Sequence, residues 1–343
     1  MSKEASVRSG VIAGGNWIVD HVKIIDSWPP QDSLVNIQSE THGNGGAPYN
    51  VLKNLSKLGA DFPLEAVGLI GKDPNGDVII DDCRRHGIDT RQLRRTPLAA
   101  TSYTDVMTVR STGRRTFFHQ RGANAHLAPE HFDFSGTRAK FLHLGYMLLL
   151  DELDRLVDGR PQAGEVLRRA RAAGLQTSLD VVSENSDRFH TVVHPVLPEV
   201  DILFVNDYEA EKLTDICLRK DGVIQRALVE AAANSLVSHG VRQWVILHSP
   251  EVVFAVSTRG EACWQPSLRV PSAAIKGLVG AGDAFASGVL FAQHSGCSMA
   301  DSLRLGICVA ASSLSDSTCS EGVLKAAECL GLIEKWGFQP AAR

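Results

Sequence analysis

Gly277-Leu278-Val279-Gly280-Ala281-Gly282-Asp283-Ala284-Phe285-Ala286-Ser287-Gly288 places two glycines around an alanine, an aspartate after them and an apolar run beyond. The run, with Phe285, Val289, Leu290 and Phe291, reads as a buried helix. Glycines ahead of a helix let several backbone N–H groups turn toward one point. The helix N-terminus adds partial positive charge there, and the product is an anion site. A carboxylate beside an anion site repels the ligand, but Asp283 makes sense there as a general base that takes a proton from an attacking hydroxyl. The plain structural alternative is a Gly-rich turn followed by an aspartate N-cap.

Upstream of this stretch, apolar β-runs at residues 141–144, 177–179, 202–205 and 244–247 alternate with helical patterns at 162–173 and 228–239. That order predicts a parallel sheet with helices on both faces. Residues 252–256 and a strand before Pro266 suggest an antiparallel edge, and the chain after Asp283 reads as helical to near its end. At the other end, Val11-Ile12-Ala13-Gly14-Gly15 is a buried strand, and Val22, Ile24 and Ile25 mark a second. A turn, Gly43-Asn44-Gly45-Gly46, leads into an amphipathic helix through Val51, Leu52, Leu55 and Leu58. Residues 64–70 read as a strand and 77–86 as a helix, with Asp81-Asp82 on a solvated face. Between residues 101 and 120 the pattern turns to alternation around Ser111-Thr112-Gly113-Arg114, a hairpin outside the main core.

Composition narrows the function classes. The chain has 343 residues, 44% of them hydrophobic and 22% charged, enough for a large buried core. A formal net charge of −4 and a pI near 6.3 argue against a nucleic-acid surface. Residues 1–10 are polar, with no apolar stretch for a signal peptide, and the apolar run near 141–150 is too short to span a bilayer. Seven cysteines without a C-x-x-C pair suit reduced thiols, and a cytoplasmic protein is expected. His190 and His194 stand one helical turn apart but have no third ligand near them in sequence.

In a parallel α/β sheet, ligands sit outside the C-terminal strand ends. Asp20 follows the first strand, Asn206 and Glu209 follow the run at 202–205, and the 280–283 loop lies at the end of the sheet region. Each has a bland reading: a surface carboxylate for Asp20, an N-cap with a first-turn glutamate for Asn206 and Glu209.

Taken together these pieces resemble the ribokinase (PfkB) family of carbohydrate and nucleoside kinases. Gly280-Ala281-Gly282-Asp283 matches the end of the family's D-T-x-G-A-G-D signature, while Gly277 and Leu278 replace its Asp and Thr. Gly45-Gly46-Ala47-Pro48-Tyr49-Asn50 is similar to the N-terminal signature of fructokinase-like members. Gly15-Asn16-Trp17-Ile18-Val19-Asp20 resembles the first-strand motif, whose Asp accepts hydrogen bonds from two substrate hydroxyls. Asn206-Asp207-Tyr208-Glu209 resembles the N-x-x-E motif that holds metal-bound water and phosphate. Arg121-Gly122-Ala123-Asn124-Ala125 resembles the segment by which the lid returns to the substrate. A Gly-rich turn usual after the strand near Leu247 is replaced by His248-Ser249-Pro250-Glu251-Val252-Val253.

The resemblance implies a ribokinase-like three-layer α/β/α sandwich with a small β-sheet lid, the lid built from segments near 20–41 and 101–120. It implies ATP- and Mg²⁺-dependent phosphorylation of a sugar hydroxyl. Asp283 is then the base and Gly280, Ala281 and Gly282 the anion hole. Asp20, Asn16, Gly45, Gly46, Asn50 and Arg121 face the sugar. Asn206, Ser249, Gly280 and Gly282 face the nucleotide, and Asn206 and Glu209 hold Mg²⁺ through water. A homodimer through the lids is expected. Two alternatives stay open: a nucleoside kinase, with Trp17, Tyr49 or Phe118 as a base platform, and a sugar-binding regulator that does not turn over. Without the family's opening Asp, catalysis is expected to be indifferent to potassium.

Overall fold

The computed structural model describes residues 8–340, so most of the polar N-terminal stretch lies outside it. In chain order the strands are β1 (Val11–Gly15), β2 (Ile18–Ile25), β3 (Ile37–Gly45), β4 (Leu64–Gly71), β5 (Ile88–Thr96), β6 (Ser102–Val109) and β7 (Arg115–Gln120). They continue as β8 (Phe141–Met147), β9 (Gln176–Val181), β10 (Ile202–Asn206), β11 (Trp244–His248), β12 (Val252–Ser257) and β13 (Ala262–Pro266). The helices that pack on them are α1 (Ala47–Leu58), α2 (Pro74–Arg85), α3 (Gln162–Ala172), α4 (Asp207–Thr214), α5 (Arg226–Ser238), α6 (Ala281–His294), α7 (Met299–Ser313) and α8 (Ala326–Trp336).

The apolar runs pair as one nine-stranded sheet in the order β13-β12-β11-β10-β9-β8-β1-β4-β5. Strands β11 to β5 run parallel, and β12 and β13 close the other edge antiparallel, as the pattern at 252–266 indicates. Alternate residues feed two cores. Ile12 packs with α3, α4 and α5 on one face, while Val11 and Ala13 pack with α1, α6 and α7 on the other. Helices α6 and α7 approach closely because Gly288 faces Gly306: a Cβ on Gly288 would stand 2.8 Å from Gly306 Cα. The helical stretch after Asp283 is thus broken into three helices, and no helix among the described residues is long and apolar enough to cross a membrane.

A second sheet, β3-β2-β6-β7, forms the lid. Strands β2 and β6 pair in parallel and the outer pairs are antiparallel. Strand β3 has no apolar alternation, because most of its residues are exposed on both faces, and it turns inward only at its glycine end. The turn expected at residues 43–46 is therefore largely strand. Asp20 lies within β2, not in a loop, with Gly43 and Thr104 as its strand partners.

Two surface readings change. Asp82 is buried rather than solvated: its carboxylate accepts Tyr49 Oη at 2.7 Å and pairs with Lys53 at 3.0 Å. Trp17 and Tyr49 stack at 5.4 Å inside the core, and Phe118 stacks on Trp28 rather than lining the site cavity. None of the three offers a platform for a nucleobase.

Candidate active site

Helix α6 starts at Gly280, whose φ of 76° is left-handed, and a Cβ there would meet Cys319 Cβ at 2.7 Å. Both conditions require glycine. Asp283 occupies the first turn and is 2% exposed, but its side chain does not cap the helix. Its Oδ2 accepts Asn50 Nδ2 at 2.7 Å and Tyr146 Oη at 2.8 Å. A third hydrogen bond comes from Asp180, at the end of β9. Burial pushes the Asp283 carboxyl up to about 6 against the pull of those donors. Asp180 is raised well above the carboxylate range by burial and by the charges of Glu209 and Asp283.

Each donor is itself held. Asn44 Nδ2 donates to Asn50 Oδ1 at 2.6 Å and to Ser320 Oγ at 2.8 Å. Tyr146 has a φ of 60°, a strained value for a tyrosine, and its carbonyl accepts Asn16 Nδ2 at 3.2 Å. Gly46 starts α1 with φ 86°; a Cβ there would lie 2.0 Å from Asn16 O. Gly45 must also lack a side chain, since a Cβ would stand 2.5 Å from Asp20 Oδ1. Asp20 is buried under Thr104 and Cys319, whose Sγ lies 3.7 Å from Oδ2, and burial pushes its carboxyl up to about 7.

A cavity of about 1100 Å³ is lined by Asp20, Gly46, Asn50 and Tyr146 and roofed by lid residues Arg115 and His119; Asp283 lies behind Asn50 and Tyr146 and, like Asn16, Gly45 and residues 280–282, does not line it. Arg121 reaches its rim but is already paired, with Asp151 at 2.7 Å and Glu184 at 3.2 Å. Asn206, Glu209 and Ser249 lie outside this cavity.

Asn206 and Glu209 form a reciprocal cap on α4: Asn206 N donates to Glu209 Oε2 and Glu209 N to Asn206 Oδ1, each at 2.9 Å. Asn206 Nδ2 and Ser183 Oγ also donate to Glu209 Oε1 at 2.8 Å. Glu209 is pushed up to about 7 by burial. The Ser249 hydroxyl is engaged within the β11–β12 turn, bonded to Val252 O at 3.0 Å. His248, held neutral by burial with its pKa near 4, fills the space beside Gly282. Among the described residues no three His, Cys, Asp or Glu side chains converge as direct metal ligands, and His190 lies beside Asp215 while His194 bonds Leu213 O.

Sequence reasoning passed over Asp180, Tyr146, Arg115 and His119. Asp180 was findable: it ends the buried run at 177–179, the position where a parallel strand meets its ligand. Tyr146 had no local signal, because it contacts Asp283 from 137 residues away.

Comparison with known proteins decides the family. The model described as pfkB family carbohydrate kinase matches residues 15–326. The chain belongs to the pfkB family of carbohydrate kinases. It is 25% identical over 297 residues to the uncharacterized sugar kinase YeiI of Escherichia coli, covering 84% of this chain and 74% of that one. A 5-dehydro-2-deoxygluconokinase of Halalkalibacterium halodurans is 26% identical over 306 residues, 85% of each chain. An Escherichia coli chain assigned as ribokinase II, solved with ATP and Mg²⁺, superposes with a TM-score of 0.76 over 95% of this kinase and 99% of that chain, at 21% identity. This pfkB kinase is therefore a sugar phosphotransferase on a ribokinase-like α/β fold.

Proposed function

We propose that this kinase transfers the γ-phosphoryl group of ATP to a hydroxyl of a small sugar, with Asp283 as general base. The observation that carries the proposal is the buried Asp283 carboxylate, held by Asn50, Tyr146 and Asp180 at the N-terminus of α6. A carboxyl near pKa 6 is mostly ionised at neutral pH, yet basic enough to accept a hydroxyl proton. The backbone amides of 280–282, at the N-terminus of α6, would stabilise the negative charge that gathers on the transferring group. Asp20, Asn50, Gly45 and Gly46, braced by Asn16, orient the sugar, with Asp20 accepting from its hydroxyls.

The charges of Glu209 and Asp283 raise the pKa of Asp180, and those of Asp283 and Asp207 raise that of Glu209, a repulsion that a divalent cation would relieve. Asn206 and Glu209, an amide and a carboxylate suited to an outer coordination shell, would hold Mg²⁺ through its waters. When bound, that ion neutralises charge on the phosphoryl oxygens. The ribokinase II neighbour with ATP and Mg²⁺ and the relatives named for sugar substrates support the same reading. Trp28, Leu34, Ile37 and Phe118 stay exposed around the lid, which favours a lid-to-lid homodimer in the cytoplasm, checked by light scattering.

The test is an ADP-release assay with hexoses, pentoses, polyols and nucleosides, run beside calorimetry for ATP. Sugar-dependent ADP release sustains the proposal. Turnover of nucleosides alone moves it to a nucleoside kinase, and sugar binding with no ADP from any acceptor makes it a regulator.

A further inference from the structure

Arg115 opens strand β7 in the lid and lines the cavity. Its Nη1 is buried and has no hydrogen-bond partner. None of the ion pairs among the described residues uses Arg115, and the same holds for its cavity neighbours Arg114 and Lys276. Arg121, by contrast, has both its carboxylates in place. A guanidinium carries five donors and stays charged, so a buried unpartnered one is costly unless a ligand completes it.

What surrounds Arg115 says which end of the reaction it serves. Residues 115, 117 and 119 of β7 face the cavity together, as alternate residues of a strand do. His119 Nδ1 lies 3.1 Å from Thr104 Oγ1, and Thr104 in turn bonds Asp20. The His119 Nε2 is also buried without a partner. The charge that acts on the guanidinium is that of Asp20, on the sugar side beside the neutral Cys319 thiol, rather than that of Asp283. Arg115 therefore shares one face of the lid sheet with the carboxylate that receives sugar hydroxyls. Asp20 itself is pushed up to about 7 and supplies only part of a countercharge.

We infer that the sugar phosphorylated by this kinase carries an anionic group, a carboxylate or a phosphate ester, which Arg115 receives from the lid while Asp20 binds a hydroxyl and Asp283 faces the reacting one. The carboxylate has the better geometric match, since its two oxygens accept two parallel N–H donors from one guanidinium and leave His119 for a neighbouring hydroxyl. The inference rests on the sugar-kinase reading and names its substrate class.

The experiment compares matched acceptors in the ADP-release assay and in calorimetry: ribonate with ribitol, gluconate with glucitol, and ribose 5-phosphate with ribose. For at least one pair the anionic member should exceed its neutral partner in kcat/KM by about 10–100-fold, the range for a charge-assisted hydrogen-bonded pair. A carboxylate preference and a phosphate preference both sustain the inference and say which anion is held. In Arg115→Gln that preference should collapse, mainly through KM, and Arg115→Lys should restore part of it. Thermal melting of each variant reports whether the lid still folds, and the ratio between acceptors stays readable at reduced stability. Equal use of anionic and neutral acceptors overturns the inference and leaves the sugar kinase intact. So does an Arg115→Gln variant that loses ATP affinity and all acceptors alike, because the guanidinium then serves the nucleotide. Absence of ADP release and of binding with every acceptor overturns the inference and the sugar-kinase reading together.

Discussion

Asn50 Nδ2 donates to Asp283 Oδ2 at 2.7 Å while Asn50 Oδ1 accepts Asn44 Nδ2 at 2.6 Å. One amide thus ties the Asp283 carboxylate on α6 to the lid strand β3 through the first turn of α1. Because Asn44 also donates to Ser320, two side chains, Asn44 and Asn50, link four separate stretches of chain.

Replacing the base is the most direct trial of this arrangement. Asp283→Asn keeps the shape and the contact with Tyr146 but removes the proton acceptor. kcat should fall about 10²–10⁴-fold, the usual share of a general base, with sugar and nucleotide affinities near wild type. Activity within a few-fold of wild type would take Asp283 out of that role.

The acid cluster makes activity and stability respond to pH in opposite senses. Asp283 must be ionised to accept a proton, so kcat should rise through about pH 6 and level off above it. For stability the sign reverses. Asp283, Asp20 and Glu209 have folded-state pKa values raised from 3.8 or 4.5 to about 6, 7 and 7. Their contribution is fully present below about pH 4 and is lost as pH rises through 6 and 7. Buried His119 and His248, depressed to about 4, work the other way below pH 6.5. Comparing melting of wild type and Asp283→Asn isolates the carboxylate, and the variant should gain on wild type between about pH 4 and 6 and keep that difference above it. A difference that does not change with pH would contradict the shift.

How much of this was legible in the sequence depends on where each signal lives. The parallel sheet was written in apolar runs that need no partner to be recognised, and so was the glycine-framed start of α6. Strand β3 escaped because its pairing with β2 is satisfied through backbone groups, while its side chains stay in water and keep no alternation. Asp82 looked solvated because its companions, Tyr49 and Lys53, come from another helix. Asp20, Asn50 and Asp283 showed themselves through motif spacing. Tyr146, Asp180 and Arg115 act through contacts that only the folded chain creates.

Metal dependence should register at Glu209. Glu209→Gln keeps an oxygen for Asn206 N but removes the negative charge that would hold a hydrated cation. The free Mg²⁺ concentration needed for half-maximal activity should rise about 10–100-fold, as for other groups that hold a metal indirectly. An unchanged requirement would place the ion elsewhere.

Lys53 tests the frame behind the sugar site. Its Nζ bridges Asp82 at 3.0 Å and Glu321 at 2.8 Å, with only 6% of the side chain exposed. Lys53→Met leaves the buried Asp82 carboxylate with only Tyr49 and the exposed Arg85, at 2.9 Å, as hydrogen-bond partners and should lower unfolding stability by about 1–3 kcal/mol, read from urea denaturation. Glu321 also anchors the loop bearing Cys319 and Ser320, so sugar KM should rise as well. A small loss of stability would mean that the tyrosine and arginine at Asp82 suffice.

Potassium is expected to have no specific effect. A Cβ on Gly277 would meet Asp316 O at 2.7 Å and Arg115 Nη2 at 3.0 Å, so this position has neither a carboxylate nor room for one, and a guanidinium stands beside it. Exchanging potassium for tetramethylammonium at constant ionic strength should leave kcat unchanged. A potassium-specific rise would show that oxygen ligands from elsewhere complete a site.

The lid is made from two insertions into the core, one leaving after β1 and returning at α1, the other leaving after β5 and returning before β8. Asp20, Thr104, Arg115 and His119 ride on that sheet, whereas Asp283 and Asp180 belong to the core. The proposed sugar contacts are therefore divided between two bodies joined by four strands of backbone: Asp20 belongs to the lid, Gly46 and Asn50 to the start of α1. A hinge at those crossings would carry Asp20, Arg115 and His119 away together and would have to part Asn44 from Asn50 as it opened.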